Sequence, residues 1–181
     1  MWELLRRISK ILDIQKISYM LVGSFAVSLY GLSRATHDID LVIAANENDL
    51  NNLLHALGDD YYYDQSAAAN ALARSEMFNI IDESSMDKID FWIYNNDDFS
   101  RSQFDRKKYL DIGGYMVWVQ SAEDTVLSKL IWHGISKSER QLEDVKSILA
   151  ASSSKLDWDY LDKWAETLNI TELLNKQKED I

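Results

Sequence analysis

Two aspartates one residue apart open the apolar run "DIDLVIA", and a third, Asp90, lies inside "KIDFWIY". Successive side chains of a strand point to opposite faces, so Asp38 and Asp40 share one face, about 6.6 Å apart along the strand, while Ile39 faces the other way. Two like charges this close are unfavourable unless a cation sits between them or water solvates both. Magnesium takes carboxylate oxygen at about 2.0–2.1 Å and paired catalytic ions lie roughly 3.5–4 Å apart, so such a pair with one further carboxylate can bracket two ions. Asp90 is the third ligand of choice, because Ile89, Phe91 and Ile93 alternate with Asp90, Trp92 and Tyr94 and give that strand two distinct faces.

Upstream, "YMLVGSFAV" places Gly23 and Ser24 where an apolar strand gives way to a helix. A glycine there lets the backbone approach a ligand closely, and the helix start directs free N–H groups at an anion. Together these parts describe a Mg-nucleotide site, with a triphosphate on the turn and metal on the aspartates. Other readings of Asp-x-Asp fit less well. Aspartyl-phosphate phosphatases and many sugar transferases carry the pair after an apolar strand run, whereas "LSRATH" precedes it here, and a calcium loop would need an oxygen ligand at Val42 and a glycine at Ile43. Each part alone has a plainer explanation, Gly-Ser as an ordinary turn and "DID" as a solvated strand end. The weight lies in the order: Gly-Ser closing one strand, thirteen residues before Asp38, and a third carboxylate on a later strand.

The elements that must position these residues follow from periodicity. Leu4, Leu5, Ile8, Ile11 and Leu12 recur at helical spacing and lead into the strand "ISYMLVG"; Ser24 to Tyr30 reads as a helix ending at Gly31, and "DIDLVIAA" as a second strand. "ENDLNNLLHALG" and "AAANALARSEM" are helices, "MFNIID" a strand, "FSRSQFDRKKY" a basic helix, and "YLDIGGYMVWVQ" a hairpin turning at Gly113 and Gly114. Three tyrosines in "DDYYYD" either line a cleft or form a partly buried strand. After Ser121 strand signals cease, and the remainder reads as helices broken near Gly134, "ASSSK" and Asn169. Trp118, Trp132, Trp158 and Trp164 sit among apolar residues and are expected in the core. The fold class is α+β: a small mixed sheet flanked by helices over residues 1–120, with a C-terminal helical region, 121–181, packed on it.

Composition narrows the partners. The 181 residues are 46% hydrophobic and 27% charged, ordinary for a folded domain, and 19 Lys and Arg against 30 Asp and Glu give a net charge of -11 that disfavours a long nucleic acid. The lack of cysteine excludes thiolate zinc sites, and three scattered histidines argue against a histidine metal site. "MWELLRRISKILDIQK" breaks its apolar residues with charge, unlike a signal peptide or membrane span, so a cytoplasmic protein with no membrane partner is expected.

The order Gly-Ser, spacer, Asp-x-Asp, distant Asp resembles the nucleotidyltransferase superfamily. "GSFAVSLYGLSRATHDIDLVI", with Arg-x-Thr before the aspartates, and the tail "SAEDTVLSKLIWHGISKSERQLEDV" are most similar to its bacterial abortive-infection and type IV toxin branch, over about residues 18 to 170. The resemblance implies that Asp38, Asp40 and Asp90 are catalytic metal ligands for two Mg²⁺ ions, Asp90 also helping to deprotonate an attacking hydroxyl, and that Gly23 and Ser24 contact nucleotide phosphates. It implies a nucleoside triphosphate (NTP) as substrate, ATP among the candidates, and an acceptor that is a protein, a tRNA or a small molecule. It also implies a toxin-antitoxin or abortive-infection role with an antitoxin partner.

Arg34, Thr36, Lys129 and Asp144 correspond to positions this branch often shares. Lys129 would neutralise the triphosphate, or be the solvated neighbour of an apolar stripe of Val126, Leu127, Leu130 and Ile131. Arg34 and Thr36 would bind nucleotide, or respectively pair with an acid and shape the turn; Arg140 and Asp144 would pair with each other. His37 is expected to be structural, aimed with Ile39. The alternative to an enzyme is a catalytically silent Mg-nucleotide-binding or interaction module on the same scaffold.

Overall fold

A computed structural model of the chain describes residues 1–32, 36 and 38–179. In chain order the elements are α1 (Trp2–Ile14), β1 (Ser18–Val22), α2 (Gly23–Tyr30), β2 (Asp38–Ala44), α3 (Glu47–Leu57), β3 (Tyr61–Tyr63), α4 (Gln65–Arg74), β4 (Met77–Asp82) and β5 (Lys88–Ile93). They continue with α5 (Asp98–Arg106), β6 (Lys108–Asp111), β7 (Met116–Val119), α6 (Ala122–Ser136), α7 (Glu139–Ser152), α8 (Trp158–Thr167) and α9 (Thr171–Lys178). The expectations for Arg34 and His37 fall outside the described residues.

The chain forms two compact units, one made of Met1–Val22 and Thr36–Val119, the other holding α2 and the helices after Val119. In the first, seven strands form one sheet in the order β3-β4-β5-β2-β1-β7-β6. The sheet is mixed: β2 pairs β5 and β1 pairs β7 in parallel, and the remaining pairs are antiparallel. One face is the core. Tyr19 and Leu21, Ile39, Leu41 and Ile43, and Ile89 and Phe91 are sealed from solvent there, as are Leu5, Ile8 and Leu12 of α1 and Leu53 of α3. At roughly 25 cal/mol per Å² of apolar surface, this layer is what holds the strands in register. The helices over it are locally well specified; Asn46 and Asp49 form a capping box at the start of α3.

An ion pair ties α1 to the sheet. Asp82, at the end of β4 and 1% exposed, accepts from the guanidinium of Arg7, from the Ser84 hydroxyl at 2.5 Å and from the Ser84 amide at 2.8 Å. Burial opposes ionisation of this carboxyl, but the hydrogen bonds from Ser84 and Arg7 outweigh it and hold its pKa below the ordinary value.

In the second unit α2 packs on α6 and α7, α6 on α8, and α9 on α7 and α8. Phe25, Ala26 and Val27 of α2 share its core with Val126, Leu127 and Leu130 of α6 and Val145, Ile148 and Leu149 of α7. Two glycines behave oppositely here. Gly31 ends α2 beside α7 so closely that a Cβ would lie 2.9 Å from the backbone nitrogen of Ile148. Gly134 does not break the helix as its residue type suggested: α6 runs through it and stops at Lys137, which takes a left-handed φ of 55°. The later breaks fall where expected, at the short 3-10 turn Ser153–Lys155 and at Asn169 with φ 57°. The four tryptophans correct their expectation, since Trp132 is 44% exposed and Trp118, Trp158 and Trp164 are only partly covered. Flat indoles fit the margins of a core this small better than its centre.

Because nothing lies within 4 Å of a Cβ built on Gly134, Gly134→Ala should raise unfolding stability by about 0.5–1 kcal/mol in urea titrations, whereas Gly31→Ala should lower it by about 1–3 kcal/mol. Asp82 sets an acid limit. A depressed carboxyl pKa adds stability that is complete above the unfolded value near 3.9 and is lost as pH falls through the folded value. The stability advantage of the wild type over Asp82→Asn, measured by denaturation at stepped pH, should therefore shrink below about pH 4.

Candidate active site

The register of β2 against β5 decides the site. Asp40 is the partner of Asp90 and Asp38 the partner of Lys88, so all four side chains project from the sheet face opposite the core. Val42 and Trp92 form the next pair on that face, and Asn79 of β4 sits across from Asp90. The alternation read from "DID" and "KIDFWI" is therefore the alternation observed, with Ile39 and Ile89 buried between the acids and the helices.

The side chains use this placement in an unanticipated way. Lys88 extends its ammonium among the carboxylates, with Nζ 3.0 Å from Asp90 Oδ2 and 3.6 Å from Asp38 Oδ1. The hydrogen bond with Asp90 raises the Lys88 pKa despite an opposing effect of burial. Asp90 is 7% exposed, and its Oδ1 is buried with no hydrogen-bond partner among the described residues. Asp38 is half exposed, and Asp40 Oδ1 accepts from the indole nitrogen of Trp92 at 3.4 Å. Among the described residues, Lys88 is the ammonium seen to pair with these carboxylates, on Asp38 and Asp90.

A hard divalent cation suits the donor chemistry of this set, because carboxylate oxygen is its preferred ligand and a buried, unpartnered Asp90 Oδ1 lacks the partner a buried acceptor requires. As the side chains lie, however, no three acids among the described residues are grouped closely enough to hold a metal. The backbone gathers Asp38, Asp40 and Asp90 on one face, and the Lys88 ammonium lies between Asp38 and Asp90.

The other candidates are placed as follows. Gly23 has φ 65°, a left-handed conformation that favours glycine, and follows directly on Val22, the register partner of Asp40. Ser24 is the second residue of α2, where its carbonyl accepts from the Ser28 hydroxyl at 3.0 Å. Thr36 donates its hydroxyl to the Asp38 carbonyl at 3.3 Å, which fits the shaping of the approach to β2. Lys129 is not a solvated neighbour of the α6 stripe. It is 8% exposed and pairs at 2.7 Å with Asp144 of α7, itself 3% exposed. Lys88 and Trp92 were missed by motif reasoning. The available signal was strand period, since residues two positions either side of Asp90 must share its face.

Over residues 1–180 the sequence matches the family described as a nucleotidyltransferase of unknown function (DUF6036). The chain belongs to this family. No curated protein sequence matches it. The fold is similar to that of the antibiotic-resistance factor ANT(2'')-Ia, with a TM-score of 0.60 and 14% identity over 98% of this chain and 92% of that one. It is also similar to the lincosamide antibiotic adenylyltransferase LnuA, with a TM-score of 0.54 and 17% identity over 80% and 93% of the two chains. An antigenic nucleotidyltransferase-like protein from Paracoccidioides brasiliensis gives a TM-score of 0.53 and 18% identity over 78% and 72%. The α+β architecture is thus a nucleotidyltransferase fold, and the family makes the chain a member of a transferase group. No described helix is long and apolar enough to cross a membrane.

The Lys88–Asp90 contact can be measured directly. A double-mutant cycle of Lys88→Met and Asp90→Asn in urea should give a coupling of about 0.5–1 kcal/mol, kept low by solvent on the half-buried lysine. Additive single effects would show that the ammonium and carboxylate do not interact.

Proposed function

We propose that this protein transfers a nucleoside monophosphate from an NTP to an acceptor hydroxyl and releases pyrophosphate. The observation that carries the reading is the pairing of Asp40 with Asp90 across parallel strands on one polar face, with Asp38 two residues along. Asp38, Asp40 and Asp90 would hold Mg²⁺, and the bound ions would supply charge stabilisation at the phosphates and a template for in-line displacement. In the step itself a bond forms between the acceptor oxygen and the α-phosphorus while the bond from that phosphorus to the bridging oxygen of the β-phosphate breaks. The hydroxyl proton passes to the Asp90 carboxylate, which acts as the general base. Gly23 and Ser24, at the helix start after Val22, would bind the leaving phosphates through backbone N–H groups. Arg34, Thr36 and Lys129 stay secondary candidates for the nucleotide.

A small hydroxylated acceptor is the favoured class. ANT(2'')-Ia has been captured with adenylyl-2''-tobramycin and LnuA with lincomycin, both antibiotics. The charge of -11 on this chain also opposes approach of a polyphosphate backbone. The toxin-antitoxin role with an antitoxin partner is the finer variant, and a cytoplasmic setting fits both.

Incubation with Mg²⁺, each labelled NTP and a cell extract should yield a labelled product whose formation falls by about 10²-fold or more in Asp40→Ala. Nucleotide binding without turnover would support the silent binding module instead, and growth arrest on expression that requires Asp38 and Asp40 would support the toxin variant.

A further inference from the structure

The face that bears the acids carries a cation of its own. Lys88 is fixed to this place by register, as the β5 partner of Asp38 and two residues before Asp90 on the same face. Its Nζ touches an oxygen of each, Asp90 Oδ2 at 3.0 Å and Asp38 Oδ1 at 3.6 Å. A divalent ion bridging these two carboxylates would lie where the ammonium now lies. An ammonium and a metal ion cannot both sit within contact distance of one carboxylate oxygen without strong mutual repulsion. Asp90 Oδ1 meanwhile stays buried without a hydrogen-bond partner, so the lysine satisfies half of that carboxylate and leaves the other half open to a stronger cation.

We propose that Lys88 is a positioning residue that acts as a resident counter-ion, holding Asp38 and Asp90 in the metal-free protein and yielding its place when a divalent cation binds. This rests on the reading that Asp38, Asp40 and Asp90 are the metal ligands. The lysine has two effects. It removes like-charge repulsion from the folded protein when no ion is bound, and it sets a threshold on metal affinity, because each binding event must first expel an ammonium. The expelled ammonium then stands beside the site as a point charge suited to an incoming polyphosphate, so metal and nucleotide favour one another.

The test titrates Mn²⁺, read by electron paramagnetic resonance without nucleotide, into the wild type, Lys88→Met, Lys88→Arg and Asp40→Ala. Lys88→Met should bind Mn²⁺ roughly tenfold more tightly than the wild type, the scale on which groups around a metal site act. Lys88→Arg, which keeps the charge, should stay close to the wild type, and the metal-free Lys88→Met protein should melt earlier. In parallel, acylation of Lys88 by an amine reagent, followed by mass spectrometry, should speed up when Mg²⁺ is added. Unchanged or weaker Mn²⁺ binding in Lys88→Met, with Asp40→Ala still losing it, would overturn the counter-ion role and leave the metal ligands standing. Failure of both the wild type and Lys88→Met to bind would overturn the ligand assignment, and this proposal with it.

Discussion

The parallel pairing of β2 with β5 is the constraint on which the rest depends. Its backbone hydrogen bonds set Asp40 against Asp90, and a slip of β5 by one residue would turn Asp90 into the apolar layer and expose Ile89 and Phe91. The carboxylates are not together because they attract one another. They are together because the opposite face of the same strands has nowhere else to go, and hydrophobic burial imposes a proximity that electrostatics opposes.

Two buried carboxylates of the same unit show what that opposition means. Asp82 has hydrogen bonds from Ser84 and Arg7, and its ionised form is favoured by its surroundings. Such a group has its valences filled and serves the fold. Asp90, also buried, has one oxygen on Lys88 and the other without a hydrogen-bond partner among the described residues. A carboxylate left half satisfied beside two others costs stability, and the proposed metal would offset that cost.

Much of this could be read from the sequence. The alternation in residues 88–93 and the apolar core of β2 announce both strands and the face each acid occupies, because a half-buried strand writes its two environments into successive residues. The order of Gly23-Ser24, Asp38, Asp40 and Asp90 then gave the family. What was hidden depends on distant partners. Gly134 looks like a terminator, yet the helix continues because a solvated glycine costs less than the packing around Val126, Leu127 and Leu130 gains. Lys129 looks like a surface residue until Asp144 of the next helix supplies its partner. Lys88 carries no motif, and only the pairing of β5 beside β2 shows that its reach ends among carboxylates. The membership of α2 in the helical unit, though it lies between two sheet strands in the chain, was likewise not a local property.

Lys88 and Asp90 stand on one short strand, while Asp38 and Asp40 arrive on another, with α3, β3, α4 and β4 in between. The pairing of β5 with β2 sets Lys88 beside Asp38 and Asp90 beside Asp40. The sheet thus carries a counter-ion of its own at the seam where its acids gather.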